Sequence, residues 1–409
     1  MSGLLADAAD VLGWGDVASD EVSIIVGGRR TTGWEAVSIR MSVEVMPWTF
    51  ELETTEWAPD MAAEVTIQAG APCEINIGPD RVLTGLVISV SRFGDANSHG
   101  VRVVGASRSF DLVNNSALFS TFQITGTDAV ALANKVARPF GITAITVGEV
   151  DRTPIQQFDV ILTETAYEII ERVCRYAALL VYDHTDGNIH LSRAGSTVAA
   201  SGFELGRNVE RFEATATVAE RHSQISAVRQ TTDTLFASPD AADLGGQMDL
   251  ITAVGPVKDP TIQRYSPLII PAEMADMGNE VTRRRVQWEI NRRLGRSFAV
   301  SLTCDSWRDS AGALWAVNTL APLNLSQAKV APKAPWLIGE IVFRRDGEGT
   351  HADIVLMPRE AYLPEPVLLN PLATEVGQAI REQQGAAPSL AGQDAAIAVD
   401  PEALPGLIR

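Results

Sequence analysis

The chain carries five histidines, His99, His184, His190, His222 and His351. Histidine binds metals and moves protons near neutral pH, but both tasks need a second group at a fixed spacing. None of the five has a Cys, Asp or Glu at metal-ligand spacing on a shared helix face. Asp183-His184-Thr185-Asp186-Gly187-Asn188 is rich in oxygen donors. It lacks the alternating ligand spacing and closing Glu of a calcium loop, and reads as a hairpin turn. Gly27-Gly28-Arg29-Arg30 would cradle a phosphate only ahead of a helix N-terminus, and a strand follows instead. There is no GxSxG elbow, HExxH, Walker loop or GxGxxG. With 51 acidic residues no carboxylate pair is diagnostic, and Glu51, Glu53 and Glu56 read as a solvated strand face. Cys73, Cys174 and Cys304 are isolated in apolar surroundings and read as small buried residues. No catalytic, cofactor or metal residue is assigned.

The remaining chemistry is electrostatic. The formal net charge is −18, and the 33 basic residues are mostly arginine. Such a field disfavours binding to nucleic acid or anionic lipid. Against it stand Arg283, Arg284, Arg285, Arg292 and Arg293, with Arg296 close behind. One reading is a solvated helix face whose last-turn arginines suit the helix dipole. The other is a subunit interface docking an acidic neighbour, such as a second copy of this chain.

The elements that must hold these residues fall into blocks. At 409 residues, with 46% hydrophobic and 21% charged content, the chain should fold into several domains. The first 21 residues form an acidic extension without the marks of a secretory signal, and no apolar run is long enough to span a bilayer. The expectation is a protein made in the cytoplasm without stable membrane insertion. Residues 22–108 alternate as short strands broken by Gly, Asn and Pro, which predicts a small barrel or sandwich. Residues 109–205 read as α/β, with a helix capped by Thr127 and another opened by a Thr165/Glu168 capping box. Residues 206–363 return to β, interrupted at about 231–295 by a long loop (231–262) and a helix over 271–294. Residues 364–409 form a tail rich in Ala, Pro, Gly and Gln without a core of its own.

The two β blocks echo each other. Phe50, Leu52, Trp57, Gly85 and His99 recur as Phe298, Leu302, Trp307, Gly339 and His351. Leu to Trp is 5 residues in both; Trp to Gly is 28 and 32, and Gly to His 14 and 12. Either this is an internal duplication, or alternating strands with Gly-rich turns resemble each other by chance. If duplicated, Leu52, Trp57 and Gly85 are the core equivalents of Leu302, Trp307 and Gly339.

Four stretches carry a wider resemblance. They are Val22 to Trp57, with its Gly-Gly hairpin and Gly33-Trp34 step; Val82-Leu83-Thr84-Gly85 leading to the run Val104 to Ala117; Ala137-Arg138-Pro139-Phe140-Gly141-Ile142 with Glu164-Thr165-Ala166-Tyr167 and Asp186-Gly187-Asn188; and Gly206-Arg207-Asn208-Val209. In order and spacing they resemble the central baseplate hub protein of Mu-like contractile phage tails, with cousins in tailocins and the type VI secretion spike. The resemblance covers about residues 22–363. It implies an α+β, mainly β chain with two similar small β-barrels in tandem, separated by α/β segments. It implies a homotrimer forming a pseudo-sixfold ring with an axial channel that DNA passes without specific binding. Its partners would be the hexameric tail tube, the trimeric central spike, baseplate wedge proteins and the tape measure protein. The protein would then be a structural component of the virion, assembled in the host cytoplasm, with no enzymatic activity and no cofactors. The rival readings are a tail-associated carbohydrate-binding or muralytic protein and a homodimeric binding module.

Overall fold

The computed structural model describes residues 20–55, 67–95, 99–119, 123–150, 152, 154–195, 197–229, 253–272, 279–328 and 335–365. Trp57, most of the 231–262 segment and the tail from Pro366 lie outside the described residues.

The first unit holds β1 (Val22–Val26), β2 (Arg29–Thr31), β3 (Ala36–Ser42), β4 (Thr49–Thr55), β5 (Pro72–Ile77), β6 (Asp80–Gly94) and β7 (His99–Ser107). Gly27 and Gly28 turn β1 into β2 with φ of 56° and 77°, a pair that glycine adopts without a Cβ clash. Strand period puts Val37, Ile39 and Met41 of β3 and Phe50 and Leu52 of β4 into the core.

The middle block contains β8 (Gln123–Thr127), β9 (Ala144–Val147), β10 (Ile155–Asp159), β11 (Leu180–Asp183) and β12 (Ile189–Ser192). After a short helix at Phe110–Asn114, its two longer helices span Ala129–Ala137 and Ala166–Tyr176. They bury Leu132, Val136, Ile169, Ile170 and Val173 in a cluster separate from the main core. The capping box forms: the Thr165 hydroxyl accepts from the Glu168 N–H, and the Glu168 carboxylate accepts from the Thr165 N–H. The Ala129–Ala137 helix is capped by Asp128 rather than Thr127. The Asp128 carboxylate accepts from the Val130 and Ala131 N–H groups, and its charge also suits the positive end of the helix.

The second β region contains β13 (Thr197–Val198), β14 (Phe203–Glu204), β15 (Val209–Ala216), β16 (Gln224–Arg229), β17 (Ala253–Lys258), β18 (Pro267–Ala272), β19 (Phe298–Cys304), β20 (Thr319–Ala321), β21 (Leu323–Asn324), β22 (Trp336–Asp346) and β23 (Gly349–Met357). Two sequence expectations shift here. The 231–262 stretch contains β17 rather than only loop. The helix begins at Asn279, because Pro271 belongs to β18. β18 lies at the edge of the β17-β16-β18 sheet, where the missing proline N–H is tolerated. Val286 and Ile290 of this helix pack on Ile225, Ala227 and Ile270.

The two β-units do not stand apart as separate closed barrels. One sheet runs β15-β19-β23-β22-β3-β4-β7-β6-β5-β1-β2, and no ladder among the described residues closes either unit. The join is the antiparallel pair β22–β3, from Glu340 opposite Ser42 to Arg345 opposite Val37. Ile39, Phe50, Leu52, Leu302, Ile341, Phe343 and Ile354 therefore share one core. Alternation specifies which face of a strand is buried, but not which strand occupies its edge.

Candidate assembly edges

The pairing registers show one five-strand unit built twice, β3-β4-β7-β6-β5 and β15-β19-β23-β22-β20. Val37 of β3 faces Leu52 of β4, as Phe212 of β15 faces Leu302 of β19. Leu52 faces Val103, which faces Val90. Leu302 faces Ile354, which faces Ile341. Two residues before Val90 and Ile341, each hairpin is interrupted by a bulge, at Ile88 and at Gly339. Pro72 then faces Leu86, as Leu320 faces Leu337. Two residues before Pro72 and Leu320 stand Gly70 and Asn318, both left-handed, with φ of 84° and 59°. The Gly70 N–H donates to the Val87 carbonyl at 2.7 Å, and the Asn318 N–H to the Ile338 carbonyl at 2.9 Å. The same backbone device thus recurs at the same register under different side chains.

This register revises the sequence alignment. Leu52 and Leu302 are both buried in the core, at 0% and 3% exposure. Counted from them, Gly339 matches Ile88, while Gly85 matches Trp336. The two glycines answer separate crowding: a Cβ on Gly85 would lie 1.8 Å from the Ala106 carbonyl oxygen, and one on Gly339 1.9 Å from the Tyr362 hydroxyl. Phe298 likewise matches Trp48 rather than Phe50. Trp307 is fully buried and donates its indole N–H to the His351 carbonyl at 2.7 Å.

The arginines expected to face a neighbour are largely used within the chain. Arg283, Arg284, Arg285, Arg292 and Arg293 lie on the Asn279–Arg296 helix. Arg285 pairs with Glu365 and lies over the Trp288 ring. Arg292 pairs with Glu44 at 3.5 Å and donates to the Leu363 carbonyl at 3.0 Å. Arg293 pairs with Glu289 at 2.7 Å and donates to the Glu220 carbonyl at 2.9 Å. Arg296 also pairs with Glu44. Together these contacts fasten the helix to Glu44, between β3 and β4, and to the segment after β23. Arg283 is exposed. The charge cluster is visible in the sequence, but its acidic partners Glu44 and Glu365 are remote in sequence.

The oxygen-rich turn after β11 is structural. Asp183 points inward, and its carboxylate accepts from the Trp48 N–H at 2.8 Å and from the Ser107 and Ser109 hydroxyls at 2.6 and 2.8 Å. Burial pushes this carboxyl above the usual carboxylate range, and the three donors pull the other way. The cluster ties the middle block to the first unit. Asp186 accepts from the Asn188 backbone and side-chain N–H groups, closing the turn. Among the described residues no group of three His, Cys, Asp or Glu side chains could hold a metal ion.

Three family models match the chain in order. The Mu phage baseplate assembly protein GpP-like N-terminal domain covers residues 21–107. The second domain of baseplate hub protein gp44-like covers 109–193. The fourth domain of Mu phage baseplate assembly protein GpP covers 278–365. Together they span well over half of the sequence. The chain belongs to the Mu-like baseplate hub family. It is 25% identical over 350 residues to baseplate hub protein gp44 of Escherichia phage Mu, covering 84% of this chain and 89% of that one. The 43 kDa tail protein of prophage MuSo2 from Shewanella oneidensis superposes with a TM-score of 0.73 at 29% identity, over 85% of this chain and 100% of the other. A tail protein from Neisseria meningitidis MC58 shares the fold, with a TM-score of 0.68 at 17% identity over 85% and 98% of the two chains. The chain is a structural hub protein of a phage-tail baseplate.

Proposed function

We propose that this hub is a symmetry adaptor. Three copies form a ring of six similar β-units on the tail axis. One face meets the hexameric tail tube, and the other holds the trimeric central spike. Wedge proteins surround the ring, and the tape measure protein ends at it. The observation that carries this reading is the five-strand unit present twice in one continuous sheet. A threefold ring of such chains offers a near-sixfold surface without a second gene product. The sheet regions of 22–108 and 206–363 form the ring, and the 109–205 block sits on it through the Asp183 cluster. The acidic balance, −18 over the chain, keeps DNA moving through the axial channel, because phosphates find no positive surface to hold them. Assembly takes place in the host cytoplasm, before the particle is released.

A cryo-EM reconstruction of the purified tail particle tests the proposal. The expected result is three copies on the axis between tube and spike. A peripheral position, a copy number other than three, or a basic channel lining would overturn it.

A further inference from the structure

The internal repeat leaves two strand edges that the first joint would cover. On β22, residues 340–345 lie beyond the reach of β20 and are paired with β3. Their register equivalents on β6 are residues 89–94. On β6 the flanking β5 ends its ladder at Leu86, so this outer stretch has only β7 beside it among the described residues. At the far end of the sheet, β15 is the equivalent of β3. Its inner edge pairs with β19, and among the described residues no strand lies on its outer edge.

The side chains on these edges suit a partner. Val43, at the sealed joint, is 2% exposed, and its N–H donates to the Gly339 carbonyl at 3.0 Å. Its equivalent is Val218, at 52% exposure, and the equivalent of Gly339 is Ile88, at 37%. Phe93, on the same open edge as Ile88, is 48% exposed. Apolar side chains beside unpaired backbone donors and acceptors are a template for strand addition.

We propose that β15 of one copy adds antiparallel to the 89–94 edge of β6 in the next copy, repeating between chains the β3–β22 joint made within one chain. This rests on the ring reading and supplies its interface. The register follows by equivalence. Ser42 opposite Glu340 becomes Thr217 opposite Ser89, and Val37 opposite Arg345 becomes Phe212 opposite Gly94. The Val218 N–H then donates to the neighbour's Ile88 carbonyl. The contact is head-to-tail, so every chain offers one edge of each kind and a closed ring leaves none exposed.

Ser91 and Thr215 become direct partners, equivalent to Val342 and Arg40. The Val43–Gly339 hydrogen bond fixes that position as one lacking ladder hydrogen bonds, where opposed Cα atoms lie about 4.5 Å apart, within disulfide range. The test is the Ser91→Cys/Thr215→Cys variant of the full chain under mild oxidation, with mass followed by light scattering. The three native cysteines are buried and do not compete. The expected result is a reducible covalent trimer, absent from either single variant. It should also be absent from Ser91→Cys/Ala214→Cys, where a one-residue slip puts the thiols on opposite faces. A trimer in solution without this cross-link overturns the edge pairing and leaves the ring standing. A chain that stays monomeric at every concentration, with no cross-link, overturns both.

Discussion

The first and second β-units use the same strand order but finish their edges differently. In the first, β3 lies between β4 and β22, and its Val37, Ile39 and Met41 are buried. In the second, β15 has β19 on one side and, among the described residues, no strand on the other, and most of its residues are exposed. The contrast between Val43 and Val218 shows that exposure here depends on the neighbour rather than on the strand. A duplicated unit can thus be internally complete at one joint and unsatisfied at the next. In the proposed ring, copies of the chain bury these remaining edges against one another.

The comparison can be broken most forcefully at Trp307. Trp307→Ala should cost about 3–5 kcal/mol, as for a fully buried ring. A denaturant midpoint corresponding to less than ~1 kcal/mol would mean the second unit has no stringent core there. Leu52→Ala and Leu302→Ala should each cost about 2–5 kcal/mol. Similar losses in urea titrations would sharpen the equivalence, whereas a large loss at one and almost none at the other would break it. At the shared left-handed position the units should differ. Asn318→Gly keeps the backbone but removes amide bonds to the Ser192 hydroxyl at 2.8 Å and the Gly195 N–H at 2.7 Å. That should cost about 1–3 kcal/mol. Gly70→Ala keeps every side-chain contact and strains only the backbone, at about 1–2 kcal/mol. If Asn318→Gly proved harmless while Gly70→Ala did not, Asn318 would serve its φ alone. The smallest effect belongs to the sealed seam, where Arg40 and Glu340 pair at 2.8 Å with the arginine half-exposed. Arg40→Ala should lower stability by less than about 1 kcal/mol, an effect that shrinks further in high salt.

Much of the β pattern is legible in the sequence. The alternation of Val37, Ile39 and Met41 marks a strand with one buried face, and Gly27-Gly28 marks a hairpin. Thr165 with Glu168 marks a helix start. These signals are local, because side-chain period and turn chemistry act over a few residues. Gly85 and Gly339 match as letters but not in register. Gly339 is itself a bulge residue, and Gly85 belongs to the ladder with β5. The equivalence of Gly70 and Asn318 is invisible in the letters because two different residue types tolerate the same left-handed backbone. The arginine cluster was visible as charge, but its partners Glu44, Glu220 and Glu365 come from distant parts of the chain.

The sequence by itself determined which residues face the core and where the hairpins turn, since hydrophobicity and turn preference are written residue by residue, and it left the repeat of the β-unit open between duplication and chance. The order Gly-Gly hairpin, Gly33-Trp34, Pro139-Phe140-Gly141 and Gly206-Arg207-Asn208 also carried the hub resemblance. Only the tertiary structure decided that the units share one sheet, that β22 takes the edge of β3, and that among the described residues β15 and the end of β6 have no further strand beside them. The physical reason is that backbone N–H and C=O groups are nearly the same at every residue. An edge therefore carries little label of its own, and its partner is chosen by where the fold places the next strand.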